Sequence, residues 1–339
     1  MASAMTTFSQ PQTIAEALDD FLHQKALTRN AKTTKAYRHG LDHFLTVLRD
    51  HEITSADSPA KLGEMMLVLR FTEHLQALTL SASTQKLYSS AVSGFYKYLA
   101  ARSLAQVNLQ TLDEIFRQHI KRAGQRLPQF PKEDIEKLLA HAENLSHSIV
   151  ENERERLINL RDRAFILTLA DTGLRVHEAC GLRRGDVDWH EARAVLIGKQ
   201  NKQAVIRFSK RSISALREYL NARGKLDGSS GKRLGTLPLF ARHDDGGEKK
   251  VKGISTETGR NIIKDHVRQV LGDEAVGTIT PHSLRHYFVT IVLLSTGGNI
   301  HLAQKLARHS NINVTERYAH LSDDELDRGY AEVFDEGKS

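Results

Sequence analysis

A chain of 339 residues with 40% hydrophobic and 6% aromatic side chains is long enough for two domains with their own cores. Its formal charge of +7 and pI near 9.4 favour a polyanionic partner, and the charge is uneven, with −5 on residues 323–339 and +12 on the rest. The single cysteine, Cys180, excludes an intramolecular disulfide, the N-terminus lacks the apolar stretch of a signal peptide, and no apolar run approaches ~18 residues; a cytoplasmic protein without a membrane span is expected.

Residues 12–121 read as helices only. Thr13 and Glu16 form a capping box ahead of Ile14, Leu18, Phe21 and Leu22, which repeat at helical spacing. A second helix carries Tyr37, Leu41, Phe44, Leu45 and Leu48 on one face. Leu62, Met65, Met66 and Leu69 predict a third, and Leu87, Ala91, Phe95 and Leu99 a fourth that Ser81 can cap. A short fifth helix spans Thr111 to Ile120. The opposite faces carry Lys32, Lys35, Arg38, Lys86 and Lys97, which by themselves are also the ordinary covering of a solvated helix surface.

The stretch from Lys121 to Pro131 is basic, holds Gly124, Pro128 and Pro131, and has no periodicity, so a domain boundary is expected there. Pro131 then opens a helix with Glu133 and Asp134 in its first turn, where the helix dipole favours negative charge. Leu157, Leu160, Ala164, Leu167 and Ala170 predict a core helix that stops at Gly173, and Arg175 follows at once in Thr172-Gly173-Leu174-Arg175-Val176-His177-Glu178. Two β-rich runs, Ala192 to Ile197 and Ala204 to Phe208, flank Gly198-Lys199-Gln200-Asn201-Lys202 and read as a hairpin. Residues 224–254 read as a long surface excursion in which only Leu237-Pro238-Leu239-Phe240 looks ordered, and a helix from Glu257 to Leu271 returns the chain to the core.

The last segment concentrates the chemistry. Thr280-Pro281 caps a helix bearing His282 and Arg285 three residues apart, with Gly297-Gly298 as its stop; Asn299 can cap a second helix running into His309, and Asn313 with Glu316 a third that presents Tyr318. An Arg fork suits the non-bridging oxygens of a phosphate, His moves a proton near neutral pH, and a phenolate can attack phosphorus. His282 and His286 at i, i+4 also have the spacing of a zinc pair, but no neighbouring Glu completes a hydrolase motif, and no metal is expected.

Arg175, Lys199, the pair His282-x-x-Arg285, His309, and Tyr318 nine residues later, in this order, resemble the signature of the tyrosine recombinases, the phage integrase family. The resemblance implies a mainly α fold with a small β-sheet in the catalytic domain, arranged as a two-domain DNA clamp. Its parts are a helical, SAM-like core-binding domain at 1–122, a linker at 123–131, a catalytic domain at 132–321, and a C-terminal helix or tail at 322–339 for subunit contact. It implies site-specific recombination through a 3′-phosphotyrosyl intermediate, with Tyr318 as nucleophile, Arg175 and Arg285 on the non-bridging oxygens and His309 donating to the same group. Lys199 is then the general acid, with Lys202 as its rival, and His282 the base. Lys35, Arg38, Lys86, Arg122, Lys202 and Arg308 are the further DNA contacts. The implied partner is double-stranded DNA with a short inverted-repeat core site, bound by a protein that is a monomer in solution and a tetramer on synapsed DNA. Because the bond energy is kept in the phosphotyrosine, no cofactor is needed. No separate arm-binding domain is expected, since about eleven residues precede the first predicted helix. Two departures stand out: Arg308 replaces the Gly usual before the later His, and His177 the Ser usual after the first motif Arg. A type IB topoisomerase-like enzyme and a non-catalytic DNA-binding regulator are the alternatives.

Overall fold

The computed structural model describes residues 10–28, 31–120, 131–197, 203–243 and 251–308. The chain divides into two compact units, Met1–Gln125 and Arg126–Ser339.

The first unit is helical: α1 (Ile14–Thr28), α2 (Ala31–Asp50), α3 (Met66–Ala77), α4 (Ala82–Ala101) and α5 (Leu109–His119). Its helix starts are made by side chains that satisfy otherwise orphaned backbone N–H groups. The Glu16 amide donates to Thr13 Oγ1 at 3.2 Å, that of Thr84 to Ser81 Oγ at 3.2 Å, and that of Thr111 to Asn108 Oδ1 at 3.0 Å. Ile14, Phe21, Leu41, Phe44, Phe71, Phe95, Tyr96 and Leu99 form one core, each contributing about 1.5–3 kcal/mol before ordering costs. Gly40 lets α2 and α4 approach closely, because a Cβ there would lie 2.9 Å from the Cα of Tyr88.

The expected third helix is corrected. Pro59–Gly63 is a separate 3-10 turn that buries Leu62, and Glu64 is extended, so the periodicity restarts. Helix α3 buries Leu67, Val68, Phe71 and Leu75, while Met66 is 53% exposed. In α4 the core face is Ala91, Val92, Phe95 and Leu99, with Leu87 left 37% exposed.

The second unit holds α6 (Lys132–Asn144), α7 (Glu153–Thr172), α8 (Val176–Gly181), β1 (Val187–Asp188), β2 (Arg193–Ile197) and β3 (Gln203–Arg207). It continues with α9 (Lys210–Ala222), α10 (Gly224–Ser229), α11 (Thr256–Leu271), α12 (Pro281–Leu294) and α13 (Ile300–Ala307). Helix α7 is apolar around much of its circumference, with Leu157, Leu160, Ala164, Phe165, Ile166, Leu167 and Leu169 buried, and it packs against α6, α9 and α12. The three strands form an antiparallel sheet in the order β1-β2-β3, with Arg193 opposite Arg207 and Ile197 opposite Gln203.

The described residues of the expected surface excursion, 224–243 and 251–254, are more ordered than the sequence implies. Helix α10 lies within this stretch, Leu237, Leu239 and Phe240 are fully buried, and Ala241 pairs with Gly253. The physical reason is a buried ionic cluster. Arg223 and Asp227, both with fully buried side chains, are an ion pair at 2.9 Å off the hydrogen-bond line; Arg184 also binds Asp227, and Arg223 Nη2 donates to the carbonyl of Pro238 at 2.8 Å. No described helix is long and apolar enough to cross a membrane.

Candidate functional site

Four elements of the second unit bring their ends together. Helix α7 stops because Gly173 turns left-handed, at φ +60°, and a side chain is excluded there since a Cβ would stand 2.4 Å from Cδ1 of Phe288. The chain then enters α8 with Arg175 at its N-cap. The Arg175 amide donates to Glu178 Oε2 at 2.8 Å and its Nη1 to Glu178 Oε1 at 3.0 Å, which fixes the side chain while leaving it exposed. Burial would raise the Glu178 carboxyl, yet the Arg175 hydrogen bonds and the charges of Arg308 and Arg175 hold it below the usual carboxylate range.

Helix α12 supplies Arg285 and His282. Thr280 caps it, accepting from the Ser283 amide at 3.3 Å, with Pro281 in the first turn. Arg285 is only 3% exposed, and its two terminal nitrogens donate to the carbonyls of Gly173 and Ala307, tying α12 to the ends of α7 and α13. Burial, together with the neighbouring guanidiniums of Arg175 and Arg308, pushes it down to about 9, so it stays charged at neutral pH but is short of negative charge. His282 lies at the exposed start of the helix with its ring 4.2 Å from that of His286, edge to face. Partial burial and the charges of Arg285 and Arg175 lower its pKa, which keeps the imidazole neutral and able to accept a proton.

Helix α13 is capped by Asn299, whose Oδ1 accepts from the Leu302 amide at 2.9 Å, and it ends at Arg308. Arg308 is left-handed, at φ +56° and ψ +42°. That is the backbone geometry a Gly fills without strain, which accounts physically for the expectation of Gly at this position. The Arg308 side chain folds inward and is only 11% exposed. It reaches the carbonyls of Thr172 at 3.4 Å, Leu306 and Gly173 at 3.3 Å, and Glu178 Oε2 at 3.5 Å. Sequence reasoning marked the substitution but not this inward course, which requires knowing that the α13 end lies over the α7–α8 turn.

The structure therefore gathers Arg175, Arg285 and Arg308 around Glu178 and the Gly173 carbonyl, with His282 beside Arg285 and Arg175. Lys199, His309 and Tyr318, and the DNA-contact candidates Arg122 and Lys202, lie outside the described residues. So does the basic linker, apart from Pro131, and so does the acidic tail. In the first unit Lys35 and Arg38 are exposed on α2 and Lys86 on α4, where Lys86 and Lys97 border a groove of about 470 Å³ between α4 and α5. Among the described residues no group of three His, Cys, Asp or Glu is placed to hold a metal ion. Chemically, the gathered set is a preorganised cationic cradle with a neutral imidazole beside it, complementary to a phosphoryl group whose charge grows during substitution.

Comparison with known proteins identifies the family and the fold. Residues 128–325 match the family model for the phage integrase family, and residues 18–103 that for the phage integrase N-terminal SAM-like domain. Tyrosine recombinase XerC of Pelotomaculum thermopropionicum is 28% identical over 322 residues, covering 92% of this chain and 96% of the relative. Tyrosine recombinase XerD of Listeria monocytogenes is 27% identical over 316 residues, covering 91% and 94%. The fold matches that of XerH site-specific recombinase bound to difH substrate in a pre-cleavage complex, with a TM-score of 0.65 at 16% identity over 95% of this chain and 97% of that one. It also matches the Tn1549 transposon integrase in complex with a circular intermediate DNA, with a TM-score of 0.63 at 17% identity over 95% and 100%.

Proposed function

This chain belongs to the phage integrase family, and from that membership we propose that it is a tyrosine recombinase that cuts and rejoins double-stranded DNA at specific sites. The observation that carries the reading to chemistry is the cradle itself: Arg175 and Arg285 held by Glu178 and by two backbone carbonyls, with His282, whose pKa burial and the two guanidiniums lower, beside them.

In the proposed reaction the phenolic oxygen of Tyr318 attacks the scissile phosphorus in line. An O–P bond forms, the bond from phosphorus to the 5′ oxygen breaks, and a 3′-phosphotyrosyl link remains. The phenol proton passes to His282, and the departing 5′ oxygen takes a proton from Lys199, or from Lys202 if that residue occupies the position. Arg175, Arg285 and His309 hold the non-bridging oxygens as charge builds on the pentacovalent phosphorus. The freed 5′-hydroxyl of the partner duplex then reverses the chemistry, so phosphodiester energy is conserved and neither ATP nor another high-energy cofactor enters.

Within the same reading, 1–122 is a core-binding domain, 123–131 a linker along the phosphate backbone, 132–321 the catalytic domain and 322–339 a subunit-contact tail. Lys35, Arg38, Lys86, Arg122 and Lys202 meet DNA phosphates, and four copies assemble on two synapsed inverted-repeat core sites in the cytoplasm. The basic body with its separate acidic tail supports this division of labour.

The test is covalent capture from a random-sequence duplex pool in the presence of EDTA, followed by sequencing of the captured DNA. A shared inverted-repeat core is the expected result. Adducts without sequence preference would favour the topoisomerase-like alternative, and DNA binding without any adduct would favour a regulator.

A further inference from the structure

Arg308 is the one cation in the cradle whose presence the signature does not ask for. Its backbone adopts the left-handed conformation at φ +56°, which is unfavourable for Arg, and its side chain is nevertheless drawn inward instead of into solvent. Its bonds there are second choices. The Gly173 carbonyl already accepts from Arg285, and Glu178 already accepts from both the amide and the guanidinium of Arg175. Arg308 meets the same two acceptors at 3.3 and 3.5 Å, at the long limit of hydrogen bonding, and its buried Nε has no partner among the described residues. Two guanidiniums, those of Arg175 and Arg308, thus share one carboxylate, with the buried Arg285 held beside them on backbone carbonyls, an excess of positive charge that an anion would relieve.

Resting on the recombinase reading above, we propose that Arg308 is a further catalytic residue: a third guanidinium for the scissile phosphate, parked on Gly173 and Glu178 in the absence of DNA. When a phosphoryl group enters the cradle, Arg308 exchanges its long contacts for a non-bridging oxygen, and Glu178 is left to Arg175. The added charge acts where the pentacovalent phosphorus becomes most negative. No bond of Arg308 is made or broken; it contributes field and hydrogen bonds only.

The test uses the full chain, with the duplex that the wild-type protein captures from the random pool as probe. That duplex is made twice, with an ordinary phosphodiester or with an uncharged methylphosphonate at the scissile position. Arg308→Gly removes the guanidinium and relieves the left-handed backbone, so its melting temperature should be no lower than that of the wild type. Its rate of adduct formation should fall on the order of 100-fold relative to wild type on the phosphodiester. On the methylphosphonate, where one non-bridging charge is gone, the gap to wild type should close to within a few-fold. Arg308→Lys, which keeps charge but loses the fork, should fall between the two. Equal loss on both substrates would show that Arg308 only shapes the site and would overturn the proposal, as would no loss on either. Absence of any adduct with the wild-type protein would overturn the recombinase reading itself, and this proposal with it.

Discussion

At Gly173 the backbone is left-handed and a Cβ would press to 2.4 Å from the Phe288 ring. The same residue's carbonyl is the acceptor that holds Arg285. Gly173→Ala therefore combines a left-handed penalty with overpacking, about 2–5 kcal/mol together. An urea titration should show the unfolding transition of the catalytic unit moving to lower denaturant by that amount, and an unchanged midpoint would show that Phe288 yields freely. The helix ends that carry Arg175, His282 and Arg285 were legible because their caps are local features, while the three residues themselves were singled out by the resemblance of their motifs. The inward path of Arg308 was not, because it depends on α13 ending above a turn some 135 residues earlier. A second prediction concerns the choice between Lys199 and Lys202. A general acid becomes dispensable when the 5′ oxygen is replaced by sulfur, since a thiolate leaves without protonation. Lys199→Ala should regain cleavage on a 5′-phosphorothiolate duplex; rescue of Lys202→Ala in its place would transfer the role.

Among the elements, the helices of the first unit other than α3, and α7, α11 and α12, were legible because capping residues and 3.6-residue periodicity are written locally. Two stretches were misread for identifiable reasons. Around Leu62 to Leu69, an apolar stripe continues across an extended break at Glu64, so one pattern spans two elements. In residues 224–243, Gly, Ser and Lys mimic a loop, whereas order comes from charges whose partners are distant: Arg184 pairs with Asp227, and Tyr219 contacts His243 at 2.8 Å. Removing one member of such a buried cluster leaves its partners uncompensated. Asp227→Ala should destabilise the second unit by roughly 3–5 kcal/mol, measured by chemical denaturation. Wild-type stability would mean that the cluster is not what anchors this segment.

On the scale of the whole molecule, charge is unevenly divided, and in the proposed reading the body at +12 supplies affinity for phosphates while the tail at −5 is repelled by them. Leu326, Tyr330, Val333 and Phe334 recur at i, i+4, i+7 and i+8 after the capping-box pair Ser322 and Glu325, an apolar stripe in an acidic segment. Docked on a neighbouring copy, four such side chains could contribute several kcal/mol, at roughly 1.5–3 each before ordering costs. Deleting residues 323–339 should leave a folded protein that binds one half-site but loses cooperative filling of the second, as read by gel shift. Cooperative assembly at full-length affinity would assign the stripe to its own subunit.

The central claim is that a tyrosine of this chain becomes covalently joined to DNA. Its most direct measurement is mass spectrometry of proteolysed protein after covalent capture of duplex DNA in EDTA, with Tyr318→Phe run in parallel. One nucleotide-bearing peptide, modified through a 3′-phosphate at Tyr318, is expected, with no adduct from Tyr318→Phe despite nearly unchanged DNA affinity. An adduct that persists in Tyr318→Phe, or cleavage lost on chelation and restored by magnesium, would contradict it.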